Sequence, residues 1–182
     1  MKKCRIINGI LRHRYIIAPD VNSTRPTADI VKQSIFNVLL HRYQLFFSEF
    51  CVIDMFAGSG SLGFESLSLG CKNVIWCDNN KNAIACIKYN INTLKIIANT
   101  NIYFGDARNL SLDEFTKYEN ILIFLDPPYV EEELLDNQID RIVSQFNHNN
   151  LMIVIESTKF IPIAHYSIKH GNTVVSFYSS KL

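Results

Sequence analysis

The sequence predicts an α/β domain built on a mostly parallel, doubly wound sheet. Apolar segments of strand length alternate with segments whose apolar residues recur at helical spacing, which is typical of repeated βα units. The 182 residues are 48% hydrophobic and contain no linker rich in Pro, Gly or Ser, so we expect a single domain over residues 1–182. Within it, we expect residues 1–47 to form an N-terminal extension and residues 48–182 to form a Rossmann-like core.

The extension is predicted to form a hairpin and a helix. Residues 5–8 and 14–18 are short and rich in β-branched side chains, and the segment from Gly9 to His13 joins them as in a hairpin. From about Thr27 to Phe46 the apolar residues recur at helical spacing.

The core is predicted to contain seven strands and three helices. The strands cover residues 51–56, 73–77, 102–104, 121–125, 151–156, 164–169 and 173–178, and the helices cover residues 62–69, 81–95 and about 131–146. The short segment His170-Gly171-Asn172 between the last two strands predicts a closing antiparallel hairpin.

A glycine-rich turn follows the first core strand. Gly58, Gly60 and Gly63 form G-x-G-x-x-G, which removes side chains where the backbone has to approach a nucleotide. A glycine turn that only closes a corner between strand and helix is the alternative. The second strand ends in Asp78, 20 residues after Gly58, where a carboxylate can accept hydrogen bonds from both ribose hydroxyls. This context favours a nucleoside site.

The fourth core strand runs directly into Asp126-Pro127-Pro128-Tyr129. Neither proline can donate to a sheet or start a helix there, so the chain must form a rigid, open loop. A strand-ending turn with a surface tyrosine is the alternative. Four strand ends carry an acid, namely Asp54, Asp78, Asp106 and Asp126. Because ligands of such sheets bind at the carboxyl ends of the strands, the acids strengthen the prediction of a nucleoside site.

Charge is distributed unevenly along the chain. Residues 1–45 carry eight Lys or Arg and two acidic residues, whereas the remainder carries ten basic and fifteen acidic residues. A solvated face explains most charge runs, but a basic arm on an acidic body is also typical of a protein that binds a polyanion.

The five cysteines form no C-x-x-C pair, so we expect reduced thiols and no metal site. No apolar segment reaches membrane-span length, and we expect a cytoplasmic protein.

Together these motifs resemble class I S-adenosylmethionine-dependent methyltransferases that act on exocyclic amino groups of bases. Five segments narrow the resemblance to the RsmD family, which methylates N2 of one guanine in bacterial 16S rRNA. They are Arg5 to Gly9, Arg12-His13-Arg14, Thr24-Arg25-Pro26-Thr27, Ser34 to Leu39, and Phe56 to Leu67. His13 stands where the family usually has glycine, and Asp78 where it usually has glutamate.

The resemblance and the chemistry of the side chains together predict a role for each site residue. Asp126 and the Pro127 carbonyl accept the two N–H bonds of the target amine, Pro128 keeps this pair rigid, and Tyr129 stacks on a base rotated out of the RNA. The residues expected at the S-adenosylmethionine site are Asp54, Phe56, Gly58, Gly60, Gly63, Asp78, Asn79, Asp106, Ala107, Thr24, Thr27 and Asn37. Arg12, Arg14 and Arg25 are expected to contact RNA phosphates.

The resemblance implies 16S rRNA as the partner, within a small-subunit assembly particle, and a monomeric enzyme. A methyltransferase of another amino target, such as adenine N6 in DNA, is the nearest alternative. A nicotinamide-dependent oxidoreductase also uses G-x-G-x-x-G but gives no reason for Asp-Pro-Pro-Tyr. A non-catalytic RNA-binding protein with the same fold is the third alternative.

Overall fold

The computed structural model describes residues 2–19, 26–127 and 135–181. The strands are β1 (Lys2–Arg5), β2 (Tyr15–Ala18), β3 (Phe50–Asp54), β4 (Asn73–Asp78), β5 (Asn99–Phe104), β6 (Asn120–Leu125), β7 (Asn150–Ser157), β8 (Tyr166–His170) and β9 (Thr173–Ser179). The helices are α1 (Pro26–Asn37), α2 (Ser61–Ser68), α3 (Lys81–Leu94) and α4 (Leu135–Gln145). Within the described ranges, no helix is long and apolar enough to cross a membrane.

The seven core strands form one sheet in the order β5-β4-β3-β6-β7-β9-β8. The first five are parallel, and β9 pairs antiparallel with both β7 and β8. The strand order reverses between β3 and β6, which makes their carboxyl ends the topological switch point. The structure therefore confirms the predicted mostly parallel, doubly wound sheet with an antiparallel hairpin at one edge.

Each face of the sheet packs against its own set of helices, because side chains alternate along each strand. On one face, which we call the α1 face, β3 and β6 contribute Val52, Leu122 and Phe124 to a cluster with the extension, α1, α2 and α3. On the opposite face Ile53 and Ile123 pack with α4 and the segment that precedes β6. The extension and the core thus share one hydrophobic cluster.

Buried polar groups also hold the extension on the core. The Glu65 carboxylate in α2 is completely buried and accepts hydrogen bonds from the backbone N–H groups of Ile7 (2.7 Å) and Asn8 (3.1 Å). The Lys32 ammonium lies 3.2 Å from the same carboxylate and donates to the Arg5 carbonyl at 2.7 Å. This ion pair joins the hairpin, α1 and α2 in one place.

Two elements of the extension differ from those predicted. The strand expected at residues 5–8 is β1 at Lys2–Arg5. The Ile6 N–H still donates to the Arg14 carbonyl across the hairpin, but the Ile7 and Asn8 N–H groups donate to Glu65 instead of a strand. The helix expected to reach Phe46 changes at Asn37 into a π-helical turn over Val38–Arg42. The backbone then turns through Gln44, whose φ is 52°, and brings Phe47 onto Phe36 with ring centroids 5.6 Å apart.

Candidate active site

The glycine-rich turn lies between β3 and α2, at the switch point of the sheet. Gly58 and Gly60 have φ angles of 51° and 76°, a backbone region that favours glycine. A Cβ built on Gly58 meets no atom within 4 Å, so open space lies beside this residue. Backbone bordered by open space is what the close approach of a nucleotide requires.

Gly63 serves the packing of the turn. A Cβ on Gly63 would lie 2.2 Å from Nε1 of Trp76, whose indole N–H donates to the Gly60 carbonyl at 3.2 Å. The Trp76 ring is fully buried and packs on Phe64, with centroids 4.8 Å apart. Gly63 was predicted at the cofactor site, but its Cα faces this indole and lets α2 approach β4 closely.

Asp78 ends β4 and connects two loops of the candidate site. One carboxylate oxygen accepts from the Gly58 N–H at 2.7 Å, and the other accepts from the Asn80 N–H at 2.7 Å. Asp78 thus fixes the first glycine of the turn. Each carboxylate oxygen has a second lone pair, so Asp78 can still accept hydrogen bonds from a ligand.

Asp54, the last residue of β3, lies beneath the turn and is only 2% exposed. Its carboxylate accepts from the Gly63 N–H, while its Oδ2 has no hydrogen-bond partner among the described residues. Burial raises the pKa of Asp54 to about 7, and the nearby Asp78 charge adds to this effect. An acceptor buried without a partner is costly, which makes Asp54 ready to receive a donor from a ligand.

Four carboxylates lie at neighbouring strand ends on the α1 face. Val52 in β3 and Trp76 in β4 belong to the α1-face cluster. Asp54 and Asp78 lie two residues further along these strands and are therefore on the same face. By the same alternation, Asp126 and Glu156 follow the α1-face residues of β6 and β7. The sheet therefore brings together Asp54, Asp78 and Asp126, as the sequence predicts.

Asp126 follows β6 directly, and Glu156 occupies the equivalent place in β7. The last paired residues of these parallel strands are Leu125 and Ile155, so Asp126 and Glu156 are next to each other in register. Solvent reaches the Asp126 side chain, although much protein surrounds it. The surrounding protein, the Glu156 charge and the Asp54 charge raise the pKa of Asp126 well above its usual range. Burial also raises the pKa of Glu156.

Asp106 lies beyond β5 and binds Arg108. Its carboxylate accepts from the Arg108 backbone N–H at 2.9 Å and from the guanidinium, which lowers the pKa of Asp106. Ala107 is buried beside it, and its carbonyl accepts from the Arg141 guanidinium of α4 at 3.2 Å. Asp106, which was predicted at the cofactor site, therefore has a carboxylate that already binds an arginine.

The remaining predicted site residues are spread around this edge and the extension. Phe56 is half-buried, Asn79 is exposed, and exposed Asn37 ends α1 and accepts from Gln33 at 2.9 Å. Arg12 and Arg14 are exposed on the turn of the β1–β2 hairpin. Predicted residues outside the described ranges are Thr24, Arg25, Pro128 and Tyr129, while Thr27 is described by its backbone in α1 and Pro127 is buried.

Sequence reasoning missed Glu156 and Arg141. Glu156 ends a buried apolar strand in the same way as the four acids that were singled out, so the same criterion would have found it. Arg141 gives no such signal, because its contacts with the carbonyls of Ala107 and Leu110 join segments that are more than 30 residues apart.

Comparison with known proteins assigns the family. The family described as Conserved hypothetical protein 95 matches residues 4–177. Ribosomal RNA small subunit methyltransferase D of Haemophilus influenzae is 32% identical over 164 residues, which are 87% of this chain and 81% of that protein. The Bacillus subtilis protein YlbH is 40% identical over 132 residues, which are 71% of this chain and 69% of that protein.

A solved structure supports the same assignment. The structure of Escherichia coli yhhF has a TM-score of 0.75 and 25% identity to this chain, with 98% of each chain covered. The seven-stranded sheet with its helices is thus that of the class I methyltransferase fold, and the N-terminal hairpin is added to it. The chain belongs to the Conserved hypothetical protein 95 family, which is the RsmD family that its motifs resemble.

Proposed function

We propose that this protein transfers the methyl group of S-adenosylmethionine to the exocyclic N2 amino group of a guanine in 16S rRNA. One observation carries the proposal. The carboxylate of Asp126, next to a buried proline, stands on the same face and at the same sheet edge as Asp54 and Asp78, beside the glycine-rich turn. A hydrogen-bond acceptor for an amine is thus adjacent to a place for a nucleoside cofactor.

The residues around the turn fit that cofactor. The open space beside Gly58 leaves room for it, and the free lone pairs of Asp78 suit the ribose hydroxyls. The partnerless oxygen of Asp54 suits an N–H donor. When bound, the cofactor supplies an electrophilic methyl group.

Asp126 makes the amine reactive. The exocyclic nitrogen of guanine is a poor nucleophile because its lone pair is delocalised into the ring. Asp126 and the Pro127 carbonyl accept its two N–H bonds, which aims the lone pair at the methyl group. The nitrogen must lose one proton as the new bond forms. A carboxylate with a raised pKa receives a proton more readily than an ordinary aspartate.

The extension supports an RNA substrate. Arg12, His13 and Arg14 are consecutive exposed residues on the hairpin turn, and the same hairpin packs on α2, which starts at the glycine-rich turn. A basic, exposed turn suits RNA phosphates, and this turn lies at the C-terminal end of α2, where the Ile10 and Leu11 N–H groups donate to Ser68. We also propose that the protein is a monomer and acts in the cytoplasm on a small-subunit assembly particle.

The test is methyl transfer from labelled S-adenosylmethionine to RNA and to DNA, followed by nucleoside analysis. We expect label in N2-methylguanosine of 16S rRNA. Label in N6-methyladenine of DNA would instead support the alternative methyltransferase. Binding of a nicotinamide cofactor without methyl transfer would support an oxidoreductase.

A further inference from the structure

Glu156 lies where the target base would be read. Its strand, β7, is the direct neighbour of β6, and the parallel register places Glu156 beside Asp126. Both side chains follow residues of the α1 face, so they leave their strands in the same direction. On its other side β7 pairs with β9, where Val175 is the partner of Glu156 and is fully buried. Asp126 is therefore the polar neighbour of Glu156 in the sheet.

Two adjacent carboxylates repel each other, and neighbouring donors are needed to stabilise the pair. The floor of the same site adds a further acceptor, since Asp54 Oδ2 is buried and has no hydrogen-bond partner among the described residues. The site therefore presents acceptors in excess. A ligand that fits it must bring several N–H or O–H donors on one edge.

The Watson–Crick edge of guanine meets this requirement and that of adenine does not. Guanine presents its N1–H directly beside the 2-amino group, so that two adjacent groups of this edge are donors and O6 is its one acceptor. Adenine presents its amino group beside N1, which carries a lone pair and accepts. An acceptor facing a carboxylate stays unpaired and is repelled, and a site built to bind a donor rejects an analogue without it.

We propose that Glu156 accepts the N1–H of the target guanine while Asp126 accepts an N–H of its 2-amino group, so that the pair selects guanine over adenine. This inference rests on the proposed function and adds to it a residue that determines the base. Glu156 contacts the part of the base that does not react, so its loss changes which base is methylated more than whether the cofactor binds.

The experiment separates the 2-amino group from the N1–H. The guanine mapped by nucleoside analysis is replaced by 2-aminopurine in otherwise identical 16S rRNA, which keeps the 2-amino group and converts N1 into an acceptor. The wild-type protein is expected to methylate guanine at least 100-fold better in kcat/KM. For Glu156→Gln we expect the preference to fall below about tenfold, because the amide can donate to N1 of 2-aminopurine as well as accept from guanine.

Two further variants make the result specific. Glu156→Asp keeps a carboxylate and is expected to retain the guanine preference at a reduced rate. Glu49→Gln makes the same charge change at an exposed residue before β3, at the opposite end of the sheet, and should leave rate and preference unchanged. Calorimetry should give each variant the cofactor affinity of the wild type within a few-fold.

The outcomes distinguish this inference from the proposed function. If Glu156→Gln keeps the wild-type preference, or loses activity on both bases equally, Glu156 does not read N1. Loss of the preference in Glu156→Asp would count against a carboxylate acceptor in the same way. A wild-type protein that methylates neither RNA would instead overturn the proposed function.

Discussion

The carboxylate of Asp78 accepts a 2.7 Å hydrogen bond from the backbone N–H of Gly58, which ties the end of β4 to the glycine-rich turn. The same carboxylate is the candidate acceptor for the ribose hydroxyls. Asp78 therefore combines a structural contact with a binding one, and its replacement should disturb both.

We expect Asp78→Ala to weaken S-adenosylmethionine binding by ten- to a hundred-fold, which corresponds to roughly 1.5 to 3 kcal/mol for lost bonds to a charged acceptor. The free energy of unfolding should fall as well, because the Gly58 and Asn80 N–H groups lose their acceptor. Calorimetry and urea unfolding measure the two effects. Asp140→Ala, at an exposed position of α4, is the matched control. An unchanged cofactor affinity in Asp78→Ala would reject the ribose assignment.

Gly58 and Gly63 belong to one motif but should respond differently to alanine. In Gly63→Ala the new Cβ would lie 2.2 Å from the Trp76 indole, so we expect a loss of about 1 to 3 kcal/mol in the free energy of unfolding. In Gly58→Ala the Cβ points into open space, and the positive φ costs only about 1 to 2 kcal/mol.

The difference should appear when the cofactor is added. A ligand that binds only the folded state stabilises a protein by RT ln(1 + L/Kd), where L is the free ligand concentration, so at a fixed concentration the stabilisation grows with affinity. We expect Gly58→Ala to lose most of this stabilisation, because its methyl group occupies cofactor space, and Gly63→Ala to keep more of it. Equal cofactor stabilisation in the two variants would mean that the space beside Gly58 is not the cofactor site.

The order of strands and helices was predictable because strands buried on both faces read as continuous apolar runs between turn residues. What remained hidden depends on contacts between distant segments. The end of β1 is decided by Glu65, which accepts from the N–H groups of residues 7 and 8 more than 55 positions away. The helix that was expected to reach Phe46 stops earlier so that Phe47 can pack on Phe36.

The candidate site was also predictable only where it depends on local sequence. The acids at the strand ends were visible in the sequence, but the pairing of Asp126 with Glu156 depends on β7 lying beside β6. His13, where the family usually has glycine, has a φ of 70°, so the histidine adopts a backbone conformation that favours glycine.

Asp126→Ala should reduce methyl transfer to less than a tenth of the wild-type rate while cofactor affinity stays within a few-fold. A smaller effect would mean a contribution below ~1.4 kcal/mol, too little for a residue that orients the amine. Single-turnover transfer of labelled methyl groups gives the rate. Asp113→Ala, at an exposed residue before β6, serves as the control.

The rate of methyl transfer should also fall as the pH is lowered, because the carboxylates of the site become protonated. Asp126 acts as an acceptor only when ionised, and its pKa is raised, so activity should fall on the acid side at a higher pH than an ordinary aspartate would give. Since the Glu156 charge contributes to this shift, Glu156→Gln should move the acid limb to lower pH. A limb that stays in place in this variant would contradict the coupling of the two carboxylates.

Glu65→Ala should destabilise the protein by roughly 3 to 5 kcal/mol, the range for breaking one side of a buried ion pair. The change removes the buried carboxylate beside the Lys32 ammonium, which is 6% exposed and keeps the exposed Asp29 carboxylate at 4.0 Å, and it leaves two backbone N–H groups without an acceptor. Urea unfolding measures the loss. Glu49→Ala, an exposed position, should stay within about 0.5 kcal/mol of the wild type. A loss below 1 kcal/mol for Glu65→Ala would show that the extension does not depend on this pair.

Reversing Arg12 and Arg14 to glutamate should lower RNA affinity and flatten its salt dependence. Each lost phosphate contact reduces the slope of log affinity against log salt by roughly 0.7 to 0.9. Both side chains are exposed, while the hairpin itself is held by buried residues such as Glu65, so the melting temperature should change little. Lys117→Glu with Lys169→Glu makes the same change in net charge at exposed positions before β6 and in the edge strand β8, whereas the hairpin packs on α2 and α3. If that control flattens the salt dependence as much as the hairpin variant does, net charge alone explains the effect and the hairpin is not the RNA contact.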